Sequence, residues 1–451
     1  VLAVTILGSA VVILDGTVVN VALPAIAKGL SADVAGLQWV LSGYLLTLAS
    51  LLLLAGELGD RYGRRKVFVT GVIWFGVASA LCAMASSTEM LVAARVLQGI
   101  GGALLTPGSL AILEVVIRPQ DRARAIGAWS GATGIGAAIG PLAGGGIVDA
   151  VGWRWIFVVN VPLAAFVAWA ATKHVPETTA PPASGRLDIT GAALATVGLA
   201  GVTYALIAAP DHSGAVVLVP AIAGALALVG LIAVERRAVS PMLPLELFTH
   251  RRFAGANIVT FVVYAGLGGV FFLLVVLLQV ALGYSPIEAG AATVPVTIMM
   301  LLLSSRTGAL AQRIGPRLLL TVGPFVIAAA MLMMRSIGPG DDYITGVLPS
   351  QIVFGLGLAI TVAPVTATAL GAAGDDRAGT ASAVNNAVAR TAQLLALAIL
   401  PALAGLSGND IRVASALEAG FDRAMLISAG LAAAGGVLAA FLIRGPLQPA
   451  D

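Results

Sequence analysis

The chain has 451 residues and a formal charge of +3, with 59% hydrophobic and only 10% charged residues. Soluble globular chains carry about a quarter charged residues, so an ordinary soluble enzyme or binding module is excluded. The small, scattered positive charge excludes a nucleic-acid binder, and Cys82, the sole cysteine, leaves no intrachain disulfide and no cysteine metal cluster.

In chain order, apolar segments fall at 1–24, 37–58, 67–86, 89–117, 125–150, 155–173, 188–209, 215–234, 254–282, 289–311, 317–336, 344–370, 378–405 and 420–443. Each is long enough to cross most or all of ~30 Å of hydrocarbon at 1.5 Å per residue. Sustained runs of this kind exclude an outer-membrane barrel, whose strands alternate polar and apolar residues. The fold class is therefore an all-α polytopic membrane protein with fourteen transmembrane helices.

The first segment contains "ILDGTVVNVALP" (13–24), where Asp15 interrupts a stretch that is otherwise uncharged from Val1 to Leu23. A carboxylate in hydrocarbon costs at least a few kcal/mol and is by default functional. Counted back from Pro24, Asp15 lies ~13 Å below the outer surface. In the fourth segment, Arg95 lies ~9 Å below the same surface, and Gln98 shares its face. A guanidinium cannot discharge its proton, so Asp15 reads as the proton-binding group and Arg95 as the partner that tunes it. Two blander readings stand beside this one. Asp15 could be structural, holding its helix through Thr17 or Asn20, and Arg95 could belong to a structural salt bridge. Glu114 follows Arg95 by ~28 Å of helix, which brings it beside the loop "GELGDRYGRRK" (56–66) as a partner for Arg64 or Arg61. An exposed pair there would be worth only ~0–1 kcal/mol.

In the fifth segment Gly136, Gly140 and Gly144 recur every four residues on one face, and Pro141 weakens the helix locally. Asn20 and Gln98 are candidate lining residues of a central cavity, and Arg390, ~18 Å into its helix, should face that cavity or an acid; Asn257, Tyr264, Gln279, Asn385 and Asn386 could hydrogen-bond a substrate there or equally bridge helices.

No connection is long enough for a soluble domain. The longest, Glu235 to Phe253, is Pro-rich and basic and reads as a linker. Most of the 25 Lys and Arg residues fall in alternate connections, which puts both termini in the cytoplasm. An internal repeat organises the rest. Gly56, Leu58, Arg61, Gly63 and Arg65 recur at one constant offset as Gly308, Leu310, Arg313, Gly315 and Arg317, although Gln312 stands where the first copy has Asp60. The offset spans eight segments, so two six-helix halves flank a two-helix insert. The predicted domains are an N-terminal bundle (1–174), the inserted helices (175–234), the linker (235–253) and a C-terminal bundle (254–451).

The loop "GELGDRYGRRK" resembles the signature of the major facilitator superfamily. "LDGTVVNVALP" (14–24), "LVAARVLQGIGGA" (91–103), "GIGAAIGPLAGG" (134–145), "WRWIFVVNVP" (153–162) and "LDITG" (187–191) are similar to motifs of its fourteen-helix drug:proton antiporter branch. The resemblance implies a cytoplasmic gate at Gly56, Asp60, Arg61, Gly63, Arg64, Arg65 and Glu114. It also implies an antiporter motif at Gly136, Gly140, Pro141, Gly144 and Gly145. It further implies a bacterial cytoplasmic-membrane exporter of lipophilic drugs or antibiotics, driven by protons, working as a monomer without a cofactor. No G-x-x-x-x-G-K-[ST] phosphate loop occurs, so ATP is not expected to drive it. The alternatives are a dedicated exporter of one endogenous metabolite, a proton-coupled importer, a membrane enzyme using Asp15 and Glu114, or a receptor that does not transport. After Arg390 the sequence reads "TAQLLALA" instead of the branch's usual glycines, which departs from the flexible helix the resemblance implies.

Overall fold

The computed structural model describes residues 1–179, 187–238, 241–372 and 378–443. Among the described residues, fourteen helices are long and apolar enough to cross a membrane. They are α1 (Leu2–Leu30), α2 (Val34–Tyr62), α3 (Arg64–Ala83), α4 (Thr88–Val116), α5 (Pro119–Val151), α6 (Trp155–His174) and α7 (Ile189–Ala208). The chain continues with α8 (Ala215–Glu235), α9 (Arg251–Val280), α10 (Pro286–Ile314), α11 (Pro316–Met334), α12 (Tyr343–Gly371), α13 (Ala378–Leu403) and α14 (Ala414–Leu442). No strand occurs among the described residues.

Helix ends follow local chemistry. Asp33 accepts from the Gly36 N–H at 2.7 Å and Ser87 from the Met90 N–H at 3.2 Å, capping α2 and α4. Gly63 ends α2 at φ 112° and Gly315 ends α10 at φ 84°, a backbone region in which a side chain would be strained. These are matching positions of the repeat, so its glycines are backbone requirements. One end differs from expectation. α1 runs past Pro24 to Leu30, which puts Asp15 roughly 22 Å from that helix end rather than ~13 Å. Pro24 removes a single N–H, which a membrane helix tolerates when its neighbours re-satisfy the freed carbonyl.

The chain forms two units. The first comprises Val1–Leu243 and Ser285–Gly290; the second comprises Pro244–Tyr284 and the chain from Ala291. Within the first, α4 packs on α2 and α3, α5 on α1, and α6 on α3. Within the second, α12 packs on α10 and α11, α13 on α9, and α14 on α11. The same pairings thus recur eight helices later, so the repeat seen in one loop extends to the architecture. The inserted helices belong to the first unit. α7 packs against α2, where the Trp39 and Tyr204 rings sit 6.2 Å apart, and α8 packs against α7.

Lipid tails are as apolar as leucine, so these helices associate through close packing at small residues. The α5 glycines illustrate this. Gly136 faces Ala10, Gly140 faces Thr17 and Leu14, and Gly144 faces Val18, all on α1. A Cβ on Gly140 would overlap the Thr17 Oγ1, and one on Gly144 would lie 2.7 Å from Val18 Cγ1. Gly145 faces the backbone of Pro286 and Ile287 instead. We expect Gly140→Ala to lower the thermal stability of the purified protein by about 1–3 kcal/mol through overpacking. Thr17→Ala in the same chain should restore most of it; failure of that rescue would show that the contact is not the cause.

Candidate functional site

The residue raised first by the sequence lies at the centre of a buried polar cluster in the first unit. Arg95 Nη1 donates to Asp15 Oδ2 at 2.5 Å and to Gln98 Oε1 at 2.6 Å, and Arg95 Nε donates to the Val40 carbonyl at 3.1 Å. Gln98 Nε2 donates to Asp15 Oδ1 at 2.8 Å and to Ser79 Oγ at 2.7 Å. Asn160 Nδ2 donates to Asp15 Oδ1 at 3.0 Å. The Arg95 guanidinium lies 4.3 Å from the Tyr44 ring centroid, a cation–π distance. Side chains from α1, α2, α3, α4 and α6 therefore meet in one cluster, in which those of α4 and α6 bond the Asp15 carboxylate itself. Asp15 is 3% exposed and Arg95 1%, so both charges are out of contact with solvent.

Such a pair is stable only when both charges are matched and hydrogen-bonded. Removing one partner strands the other at a cost of about 3–5 kcal/mol. Here Asp15 accepts three hydrogen bonds, and Arg95 keeps bonds to Val40 and Gln98 that do not depend on Asp15. A proton arriving on Asp15 would thus leave Arg95 partly satisfied.

Several sequence expectations are corrected by these contacts. Asp15 is not held through Thr17 or Asn20: Thr17 bonds the carbonyls of Ile13 and Leu14, and Asn20 that of Gly16. Gln98 is buried inside the ion-pair cluster and does not line an open cavity. Glu114 is exposed and is not the partner of Arg64. Arg64 bonds Asp60 at 2.7 Å, one turn away in sequence, a pairing that costs less side-chain entropy than one between distant helices. Arg65 pairs with Glu177 at 3.5 Å and donates to the Val175 carbonyl, while the Arg64 N–H bonds the Thr178 carbonyl. The segment after α6 therefore lies along the Gly63 loop. Arg61 sits 6.0 Å from the Tyr62 ring centroid, and Gly56 lies on α2 facing Pro107.

In the second unit, Asn257 bridges helices. Its Oδ1 accepts from Asn385 Nδ2 at 3.1 Å, and Asn385 also donates to Thr260 at 2.9 Å, joining α9 to α13. Asn386 is exposed and bonds the Ser382 carbonyl of its own helix. Tyr264 is partly buried, within electrostatic reach of Arg390. Arg390 joins none of the ion pairs among the described residues. Gln279 is partly buried near the end of α9.

Sequence reasoning missed Ser79, Asn160 and Tyr44 in the cluster, and Glu177 at the loop. Asn160 carried a signal, being a polar residue in the apolar run "WRWIFVVNVP"; Ser79 carried none. Among the described residues no group of three or more His, Cys, Asp or Glu is placed to hold a metal ion.

The sequence profile of the Major Facilitator Superfamily matches residues 5–397. The puromycin resistance protein pur8 of Streptomyces alboniger is 34% identical, covering 100% of this chain and 92% of that protein. A probable actinorhodin transporter of Streptomyces coelicolor is 36% identical, over 94% of this chain and 76% of that one. Among solved structures, a bacterial homolog of the human lysosomal transporter Spinster superposes with a TM-score of 0.70 at 17% identity, covering 100% of this chain and 98% of that chain. With the profile match, the two relatives and the repeated helix pairings in agreement, the chain belongs to the Major Facilitator Superfamily.

Proposed function

We propose that this chain is a proton-coupled antiporter that exports lipophilic small molecules such as drugs or antibiotics by alternating access. Family membership makes it a transporter and sets aside the membrane-enzyme reading. The observation that carries the proton coupling is the Asp15–Arg95 pair: one titratable group, buried among five helices, whose charge decides whether its neighbours are attracted. In the proposed cycle Asp15 takes a proton when the cavity opens outward. The Arg95 attraction weakens, and Gln98, Asn160 and Ser79 rearrange about the neutral acid. Release of the proton inward restores the pair and resets the helices. Arg95 tunes and positions the acid throughout and never carries the proton itself.

The concentration of loop arginines and lysines in alternate connections supports a bacterial cytoplasmic-membrane location with both ends inside. On that orientation Gly56, Asp60, Arg61, Gly63, Arg64 and Arg65 form the cytoplasmic gate, strapped by Glu177, and the transporter works as a monomer. Gly136, Gly140, Pro141, Gly144 and Gly145 keep α5 close-packed against leak. A narrower reading, export of one compound made by the same cell, is favoured by the names of two relatives, each referring to a single compound. A panel of cytotoxic compounds separates the two: protection against many supports broad export, and protection against one supports the dedicated exporter.

In proteoliposomes with an imposed proton gradient, Asp15→Asn is expected to abolish concentrative export while leaving substrate binding measurable. An Asp15→Asn protein that still accumulates substrate against its gradient overturns the assignment. Arg95→Ala should lower thermal stability by about 3–5 kcal/mol by stranding the Asp15 charge. The Asp15→Asn/Arg95→Ala double variant should be more stable than Arg95→Ala alone; simple additivity would mean the two side chains do not interact.

A further inference from the structure

A second group of carboxyls lies away from Asp15, where the inserted helices meet α2. Asp188 stands at the N-terminus of α7, and its Oδ1 accepts from the Gly191 N–H at 2.7 Å. Glu235 ends α8, and its Oε2 accepts from the Leu243 N–H at 3.1 Å. Each carboxyl thus spends one oxygen on the backbone. The remaining oxygens, Asp188 Oδ2 and Glu235 Oε1, are buried and have no hydrogen-bond partner among the described residues. Asp188 is 8% exposed and Glu235 3%, and the two side chains are within hydrogen-bonding reach of each other.

Among the described residues neither acid joins an ion pair. Among the described residues, the charges that act most on Glu235 are Asp188 and Glu57 of α2, both acidic. Glu57 in turn lies within reach of the Asp188 backbone, and Arg61 and Asp60, also on α2, act on it. Arg236 and Arg237, next along the chain from Glu235, are exposed. Two carboxylates held close together and away from water repel, whereas a proton on one of them turns the contact into a hydrogen bond. A metal ion could supply positive charge, but among the described residues no group of three or more His, Cys, Asp or Glu is placed to hold one. A proton needs only two oxygens.

We propose that Asp188 and Glu235 form a proton-binding pair in which one proton, taken from solvent, is shared between the two carboxyl groups. Binding makes one O–H bond on one carboxyl and one hydrogen bond to the other; no covalent bond breaks. With the proton in place, α7 and α8 are tied to each other beside Glu57 and the Gly63 loop. Without it, two or three negative charges face one another at that junction. The insert thereby becomes a proton-responsive brace on the helix that carries the loop. This reading does not depend on the export function proposed above, because its test contains no substrate.

The test is infrared difference spectroscopy of the full chain in lipid nanodiscs, titrated with pH and repeated in heavy water. The parent is expected to show a protonated-carboxyl carbonyl band at neutral pH that shifts in heavy water and fades as pH rises. Glu235→Gln and Asp188→Asn should each remove that contribution, and Asp15→Asn should leave it in place. Asparagine at 188 keeps the helix cap, so this variant retains the start of α7. Bands unchanged in both Glu235→Gln and Asp188→Asn overturn the proposal. The parent alone also decides: absence of any protonated-carboxyl band at neutral pH overturns it without recourse to a variant.

Discussion

The Asp15–Arg95 ion pair is the constraint to which the first unit is fitted. Two opposite charges in a hydrocarbon surround have no solvent to fall back on, so each must be met by a partner of fixed geometry. The Asp15 carboxylate is met by Arg95, Gln98 and Asn160, and the guanidinium by Val40, Gln98 and the Tyr44 ring. These contacts fix the rotation of α1, α2, α4 and α6 about their own axes, and Ser79 brings in α3 through Gln98. An apolar core of equal volume would tolerate small rotations of each helix; a matched charge pair does not.

Elsewhere the helices are held by shape. The α1–α5 seam is built from glycines that accept Thr17, Leu14 and Val18, and the α7–α8 pair uses Gly198, Gly201 and Gly224 in the same way. Van der Waals contact at such seams is short-ranged, so it is lost with a small displacement and regained at a new register. A transporter that rocks between states can slide along such a seam at little cost. A seam of interlocking large side chains would have to unpack first.

Charges at the Gly63 end behave differently from the buried pair. Asp60 is half-exposed and its bond to Arg64 is local, so that contact is worth at most about 1 kcal/mol and can break readily. Glu177 adds a second, part-buried contact to Arg65, and the Thr178 and Val175 carbonyls bind the loop through backbone groups. Asp188 and Glu235 lie in the same region but are buried, and burial makes their mutual repulsion matter. One loop is thus flanked by ion pairs nearer the solvent and by two buried carboxyls.

Hydropathy and residue spacing were enough to place fourteen spans, to find the repeated Gly63 and Gly315, and to single out Asp15 as the group that could not be incidental. These are local, one-dimensional properties. Segment length against bilayer thickness, a backbone angle open to glycine, and the cost of a charge in hydrocarbon can all be judged without knowing any neighbour. The stripe of glycines in α5 was likewise legible as a close-packing face. Only the tertiary structure decided which partner each group meets. Asn160 reaches Asp15 across 145 residues of sequence, and Gln98 across 83. Asp60 took the Arg64 that spacing had offered to Glu114, Asn257 turned to Asn385, and Asp188 came within reach of Glu235. Such meetings depend on how each helix is rotated and how far it is shifted along its axis, and those quantities are set by all the packed neighbours at once.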